Sequence, residues 1–179
     1  RSAELIKPFL LGRDVKRYAP PQSKRYLIFA RRGVNIDEYP AIKKYLLPFK
    51  DRLTPKPDGW VGEEWKGRKP GRYEWYEIQD TVDYYAEFEK PKIIVPAIVQ
   101  RASFAFDSED FYSNDKTSII GVNDLYLLGI LNSRVSDLVL REIASTKQGG
   151  FFEQKPMYLS QLPIRTLNLA DPAERAMHD

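Results

Sequence analysis

Residues 92–143, KIIVPAIVQRASFAFDSEDFYSNDKTSIIGVNDLYLLGILNSRVSDLVLREI, decide the class of fold. Lys92–Val99 is an apolar, β-branched run of strand length, and Pro96 inside it argues for a bulge or a sheet edge. Ser103–Asp107, Phe111–Ser113 and Ser118–Val122 follow as short strands parted by turn residues, the spacing of an antiparallel or mixed sheet. Asn123 or Asp124 then caps a helix, and Leu125, Leu128, Leu131, Val135, Leu138 and Val139 carry an apolar stripe along it to Ile143. The pattern predicts an α/β chain of the α+β kind: a mixed, largely antiparallel sheet flanked by helices.

Upstream, Asp80–Lys90 is acidic and suits a short helix, and Tyr73–Ile78 (YEWYEI) alternates as a strand. Leu53–Gly71 (LTPKPDGWVGEEWKGRKPG) keeps no period of 2 or 3.6. It reads as a long loop, which compact domains seldom keep unless it is functional or disordered. Before it, Asp37 can cap a helix with Pro40 in its first turn, an apolar face of Ile42, Tyr45, Leu46 and Phe49, and a kink or end at Pro48. Arg25–Ala30 is a short buried strand, and Leu5–Tyr18 is apolar, then basic, up to the Pro20-Pro21 turn. Downstream, Thr146–Phe152 reads as a glycine hinge closed by aromatics and Leu159–Ile164 as an extended segment. No internal repeat is present. The expected organisation is one domain over residues 1–164 with a polar C-terminal tail over 165–179.

Composition removes much chemistry. The 179 residues include no cysteine, which excludes disulfides, thiolate nucleophiles and zinc knuckles, and one histidine, His178, which excludes a histidine triad. No apolar run approaches the ~18 residues of a membrane span. The chain starts at Arg1 with no signal peptide, so it reads as a piece of a longer cytoplasmic protein. Residues 1–52 hold 13 basic and 5 acidic side chains, against 9 and 11 over residues 91–179. A local cationic excess of that kind suits a polyanionic partner, although a lysine-coated surface gives the same count.

Two stretches carry candidate contacts. Trp60, Trp65, Tyr73, Trp75 and Tyr76 alternate with Lys66, Arg68, Lys69 and Arg72. Rings stack on bases, and guanidinium groups fork onto guanine edges or phosphates. The plainer alternative makes Trp75 and Tyr76 core residues of a strand. Gly12–Tyr18 (GRDVKRY) places Arg13, Lys16 and Arg17 within five positions, as a phosphate clamp or a solvated turn with an Arg–Asp pair. Pro57-Asp58 followed by Glu64-Trp65-Lys66 mimics a metal-dependent nuclease signature, and Glu153-Gln154-Lys155 repeats its second half. Such chemistry needs rigid strands under its carboxylates, whereas Asp58 and Glu64 fall in the Pro/Gly loop. No Walker loop, no GxGxxG and no Asn/Asp-Pro-Pro-aromatic tetrapeptide occurs, so the chain is not expected to transfer a methyl group itself.

The order of short motifs is distinctive: Ile6–Leu10 into Gly12–Tyr18, Tyr39–Ile42 with Tyr45-Leu46, Lys50-Asp51-Arg52-Leu53, Trp75–Ile78, Pro91–Ile94, Leu127–Ser133 and Leu159–Ile164. In that order they resemble the TaqI-like C-terminal specificity domain of adenine-N6 DNA methyltransferases, including bifunctional restriction–modification enzymes and phage-defence methylases. The resemblance spans about residues 5 to 164. It implies an α/β module that packs beside a catalytic Rossmann-like domain and reads double-stranded DNA. S-adenosylmethionine, the catalytic tetrapeptide and any nuclease would then belong to an upstream methyltransferase domain, leaving this chain without cofactor or metal. Arg52 and the Trp75-Tyr76 pair match the recurrent pattern nearest the DNA-reading region, and Asn132-Ser133 matches as a packing feature. The basic loop residues rest on chemistry alone. The rival readings are a magnesium-dependent nuclease on Asp58, Glu64 and Lys66, and a docking module whose aromatic loop meets a protein.

Overall fold

The computed structural model describes residues 1–178, which divide into two compact units: residues 1–7 with 26–85, and residues 8–25 with those from 86 onward. Helices and short, mostly antiparallel strands make the chain α+β, as expected, but the strands form several small sheets in place of one. No helix among the described residues is long and apolar enough to cross a membrane.

The first unit holds α1 (Ser2–Leu5), the start of β1 (Ile6–Leu10), nearly all of β2 (Arg25–Ile28), α2 (Pro40–Leu46) and α3 (Lys50–Leu53). Its core is Leu5, Ile36 and Ile42, covered by Ile28, Val34, Tyr39, Leu46 and Tyr76. Pro40 opens α2, where its missing N–H costs nothing. Asp37 does not cap it: Asn35 caps a preceding 3-10 turn by accepting from the Asp37 N–H at 3.2 Å, and the Asp37 carboxylate pairs with Lys43. Pro48 sits in a 3-10 turn that separates α2 from α3. The expected apolar face therefore splits, with Ile42 and Leu46 on the core and Tyr45 and Phe49 exposed, their rings 6.0 Å apart. Tyr73–Ile78 is not a strand but a succession of turns.

The second unit is built on β3 (Lys92–Pro96), buried along its length between antiparallel β5 (Ala105–Asp107) and β7 (Thr117–Ile120). Alternation along β3 serves two cores. Ile93 and Val95 join Val99, Phe104, Leu131, Leu140 and Phe152, whereas Ile94 joins Leu10, Val15, Ala105 and Phe111. Pro96 marks neither an edge nor a bulge. It is the last residue of a central strand, after which the chain steps into β4 (Ile98–Val99) of a different sheet. There β4 pairs with β9 (Phe151–Glu153), and β9 with β8 (Thr146–Lys147). The end of β1 runs parallel to β6 (Tyr112–Ser113).

Beyond the strands the sequence expectations fail in informative ways. The single helix after Val122 is two, α4 (Leu125–Leu131) and α5 (Arg134–Ile143). Asp124 caps the first at 2.8 Å and Ser133 the second at 3.1 Å. At the break Ser133 turns extended (ψ 161°), and the buried Asn132 side chain is bonded to both backbone groups of Phe104. The expected hinge is the β8–β9 hairpin, and Gly149 and Gly150 at its tip adopt φ of 77° and 73°, which only glycine enters without strain. Leu159–Ile164 is not extended: α6 (Pro156–Leu159) runs into a turn that seats Leu162 in the core. The polar tail ends in α7 (Pro172–His178).

Candidate nucleic-acid interface

In the first unit the residues from Leu53 to Gln79 are irregular, and two arginines shape them. The Arg68 backbone bridges to Thr54 and Lys56 at 3.0 Å each, closing the loop at its base. Its guanidinium donates to the carbonyls of Leu53, Glu74, Trp75 and Glu77, the last at 2.7 Å. Burial accordingly lowers its pKa from the ordinary value. Arg32 donates to the carbonyls of Ile78 and Gln79 at 2.8 and 2.7 Å, and lies 3.5 Å from the buried Glu77 carboxylate. Tyr73 is stacked by both guanidinium groups, at 4.8 Å from Arg32 and 4.6 Å from Arg68. The carbonyls of the alternating YEWYEI stretch are bonded to arginines where a strand's would face a neighbouring strand.

Three sequence-stated contacts are revised by this geometry. Arg68 is a frame residue whose donors are committed to the protein. Tyr73 is buried, with its hydroxyl donated to the Lys69 carbonyl. Tyr76 donates to the Val34 carbonyl at 2.9 Å and covers the core; burial first, then Glu74 and Glu77, raises its pKa. Trp75 is half-buried, edge-on to Tyr76 at 5.5 Å and 5.6 Å from the Lys50 ammonium. Arg52, Lys66, Lys69 and Arg72 are exposed, and their side chains have no hydrogen-bond or ion-pair partner among the described residues. Trp60 and Trp65 meet edge to face at 5.0 Å near the loop tip. Asp58 and Glu64 stand exposed in this irregular backbone, so the nuclease-like spacing is not mounted on strands. The second partial match is an ion cluster: Glu153 pairs with Lys147 at 3.0 Å and Lys155 at 2.7 Å, which together hold its carboxyl below the usual range.

The second unit contains a cleft of about 720 Å³ lined by Leu11, Gly12, Arg13, Val15, Lys16, Ala97, Ile98, Val99, Gln100, Arg101, Ser103, Lys116 and Phe151. Arg13 and Lys16 enter it from the turn after β1, which Asp14 secures by accepting from the Leu11 N–H at 2.8 Å and pairing with Arg25 at 2.9 Å. A methyl group on Gly12 would stand 3.2 Å from the Lys116 carbonyl, so the two walls meet closely there. Arg17 does not line the cleft. Its guanidinium lies 4.5 Å over the Tyr18 ring and donates to the Tyr18 hydroxyl, while that hydroxyl donates to the Asn132 carbonyl at 3.1 Å. Arg13, Lys16, Arg101 and Lys116, the last paired with Asp115 at 2.6 Å, thus line one concavity together with the half-exposed apolar surfaces of Ile98 and Phe151. Arg101, Lys116 and Phe151 escape sequence reasoning, because they follow strands or turns without a periodic signal; the Gln100-Arg101 step directly after an apolar strand was the available clue.

A family model for the TaqI-like C-terminal specificity domain matches residues 7–164. No curated protein matches the chain. Among solved structures, the chain is similar to the type IIL restriction–modification enzyme MmeI in complex with DNA, at 15% identity and a TM-score of 0.57. The likeness covers 98% of this chain and 23% of that one, so this chain spans about a quarter of that protein's length, and at this identity it concerns the fold.

Proposed function

The chain belongs to the TaqI-like C-terminal specificity domain family, and from that premise we propose that residues 1–164 recognise a target sequence in double-stranded DNA. The observation that carries this reading is the second-unit cleft, where Arg13, Lys16, Arg101 and Lys116 surround apolar and aromatic surface. Phosphate contacts from such cations fix register, and apolar groups meet sugars and thymine methyls. In the first unit Arg52, Lys66, Lys69 and Arg72 supply free donors and Trp75 a half-open ring, while Arg68, Tyr73 and Tyr76 hold the frame. Arg17 orients Tyr18. Residues 165–179 stand outside the recognising part.

The parent, in this reading, is a cytoplasmic site-specific adenine-N6 DNA methyltransferase or a bifunctional restriction–modification enzyme. An upstream methyltransferase domain of the same chain is the second partner, and it holds S-adenosylmethionine. Fluorescence anisotropy with a labelled random-sequence duplex tests the reading. With about four phosphate contacts, affinity falls on the order of 10²-fold between 50 and 200 mM salt. Binding indifferent to salt, or absent at low salt, contradicts it.

A further inference from the structure

Residues 100–104, QRASF, leave β4 as a strap that belongs to no strand, yet side chains engage its backbone groups one after another. The Gln100 carbonyl accepts from the Arg141 guanidinium, and the Arg101 carbonyl from the Ser103 hydroxyl at 2.9 Å. The Ala102 N–H donates to Asp137 at 2.6 Å. Ser103 N–H and carbonyl meet the Gln154 amide at 3.1 and 3.2 Å. Phe104 N–H and carbonyl meet the Asn132 amide at 3.0 and 2.9 Å. The Gln100 amide in turn donates to the Gly149 carbonyl of the hairpin tip at 3.0 Å.

One pair of residues in this network singles out a single strap position. Asp137 and Arg141 lie a turn apart on α5 and are joined at 3.0 Å. Together they hold the backbone groups immediately before and after Arg101. The Arg101 side chain is left exposed on the cleft wall. We propose that Asp137 and Arg141 are positioning residues that present Arg101 to the DNA backbone. The proposal rests on the DNA-recognition reading above and assigns it two residues that do not line the cleft.

An exposed i,i+4 pair that served only its own helix would contribute a few tenths of a kcal/mol and need no further partners. Here each member reaches across to a backbone group 35 or 41 residues away. Asp137 is paired with Arg141 and also feels the charge of Arg101, the one cationic side chain of the strap. Burial disfavours the Asp137 carboxylate, but the Ala102 N–H and Arg141 outweigh it and keep its pKa below the ordinary value. A backbone ordered before binding lowers the entropy cost of seating a long side chain against a phosphate.

The test uses the whole chain and a random-sequence duplex, titrated at several salt concentrations beside a melting curve for each variant. Arg101→Ala lowers affinity on the order of tenfold and flattens the salt slope by about one. Arg141→Lys keeps the charge but loses the planar fork. It moves affinity and slope the same way although Arg101 is intact, and Asp137→Asn, the second variant, does likewise. Added to Arg101→Ala, neither weakens binding further. Wild-type affinity in both positioning variants, or effects that add to that of Arg101→Ala, overturns the proposal whatever the melting curves show. So does Arg101→Ala binding like wild type while Lys16→Ala binds weakly, a result that leaves the DNA reading standing. A wild-type chain without salt-dependent binding overturns both.

Discussion

The two irregular segments that carry the candidate contacts are held in opposite ways. In the first unit, the loop from Leu53 to Gln79 is organised by guanidinium groups turned inward, with Arg68 and Arg32 gathering carbonyls and Tyr73 between them. In the second, the strap at residues 100–104 is gripped by side chains from α5, from the α4–α5 junction and from the residue after β9, and its own arginine stays outside. One arginine is therefore a frame, its guanidinium held by backbone carbonyls, and the other an exposed side chain on a cleft wall.

The largest expected effect is at the grip on the strap. Gln154→Leu keeps the volume roughly but leaves buried groups of Pro96 and Ser103 without partners, at a cost of about 2–4 kcal/mol. Urea unfolding measures it, and a cost under about 0.5 kcal/mol, within the range of an ordinary surface substitution, would mean the strap is held by packing. Next comes Arg68→Ala in the loop. It frees the carbonyls of Leu53, Glu74, Trp75 and Glu77, some of which water can reach, so about 1–3 kcal/mol is expected. Faster amide exchange confined to residues 53–79 would place the loss in the loop; no local change would dissolve the contrast between the two segments.

A smaller effect comes from acid. Asp137 and Glu153 both have depressed pKa values in the folded chain. Their contribution is complete above the unfolded-state values near pH 4 and is lost as pH falls through the lower folded values. The melting midpoint should drop as pH is lowered from about 5 toward 3. In Asp137→Asn the drop should be shallower. Smallest for stability is Arg72→Ala, which removes no bond and should leave unfolding within about 0.5 kcal/mol while still weakening DNA binding. Equal stability losses in Arg72→Ala and Arg68→Ala would show that burial does not distinguish the two.

How much of this was readable in the sequence depends on how local each determinant is. The strand beginning at Lys92 and the helix beginning after Val122 are set by neighbours in the chain, although the Lys92–Val99 run divides at Pro96 between two sheets and, of Asn123 and Asp124, Asp124 is the cap. At the Asn132-Ser133 break Asn132 is bonded to Phe104, 28 residues away, a partner that the apolar stripe along the helix does not register. YEWYEI alternates as a strand does, but Arg68 takes its carbonyls. The same limit governs the contacts. Arg13 and Lys16 line the cleft and Arg17 of the same cluster does not, and Arg68 and Arg72 look alike in the sequence yet differ wholly in three dimensions.

Hydrogen exchange of the chain with and without a duplex it binds tests the account most directly. Slowed exchange is expected at residues 11–16 and 97–101 around the cleft, and at 66–72 of the loop. Slowing confined to other surfaces, with 11–16 and 97–101 unchanged at saturating DNA, would contradict it.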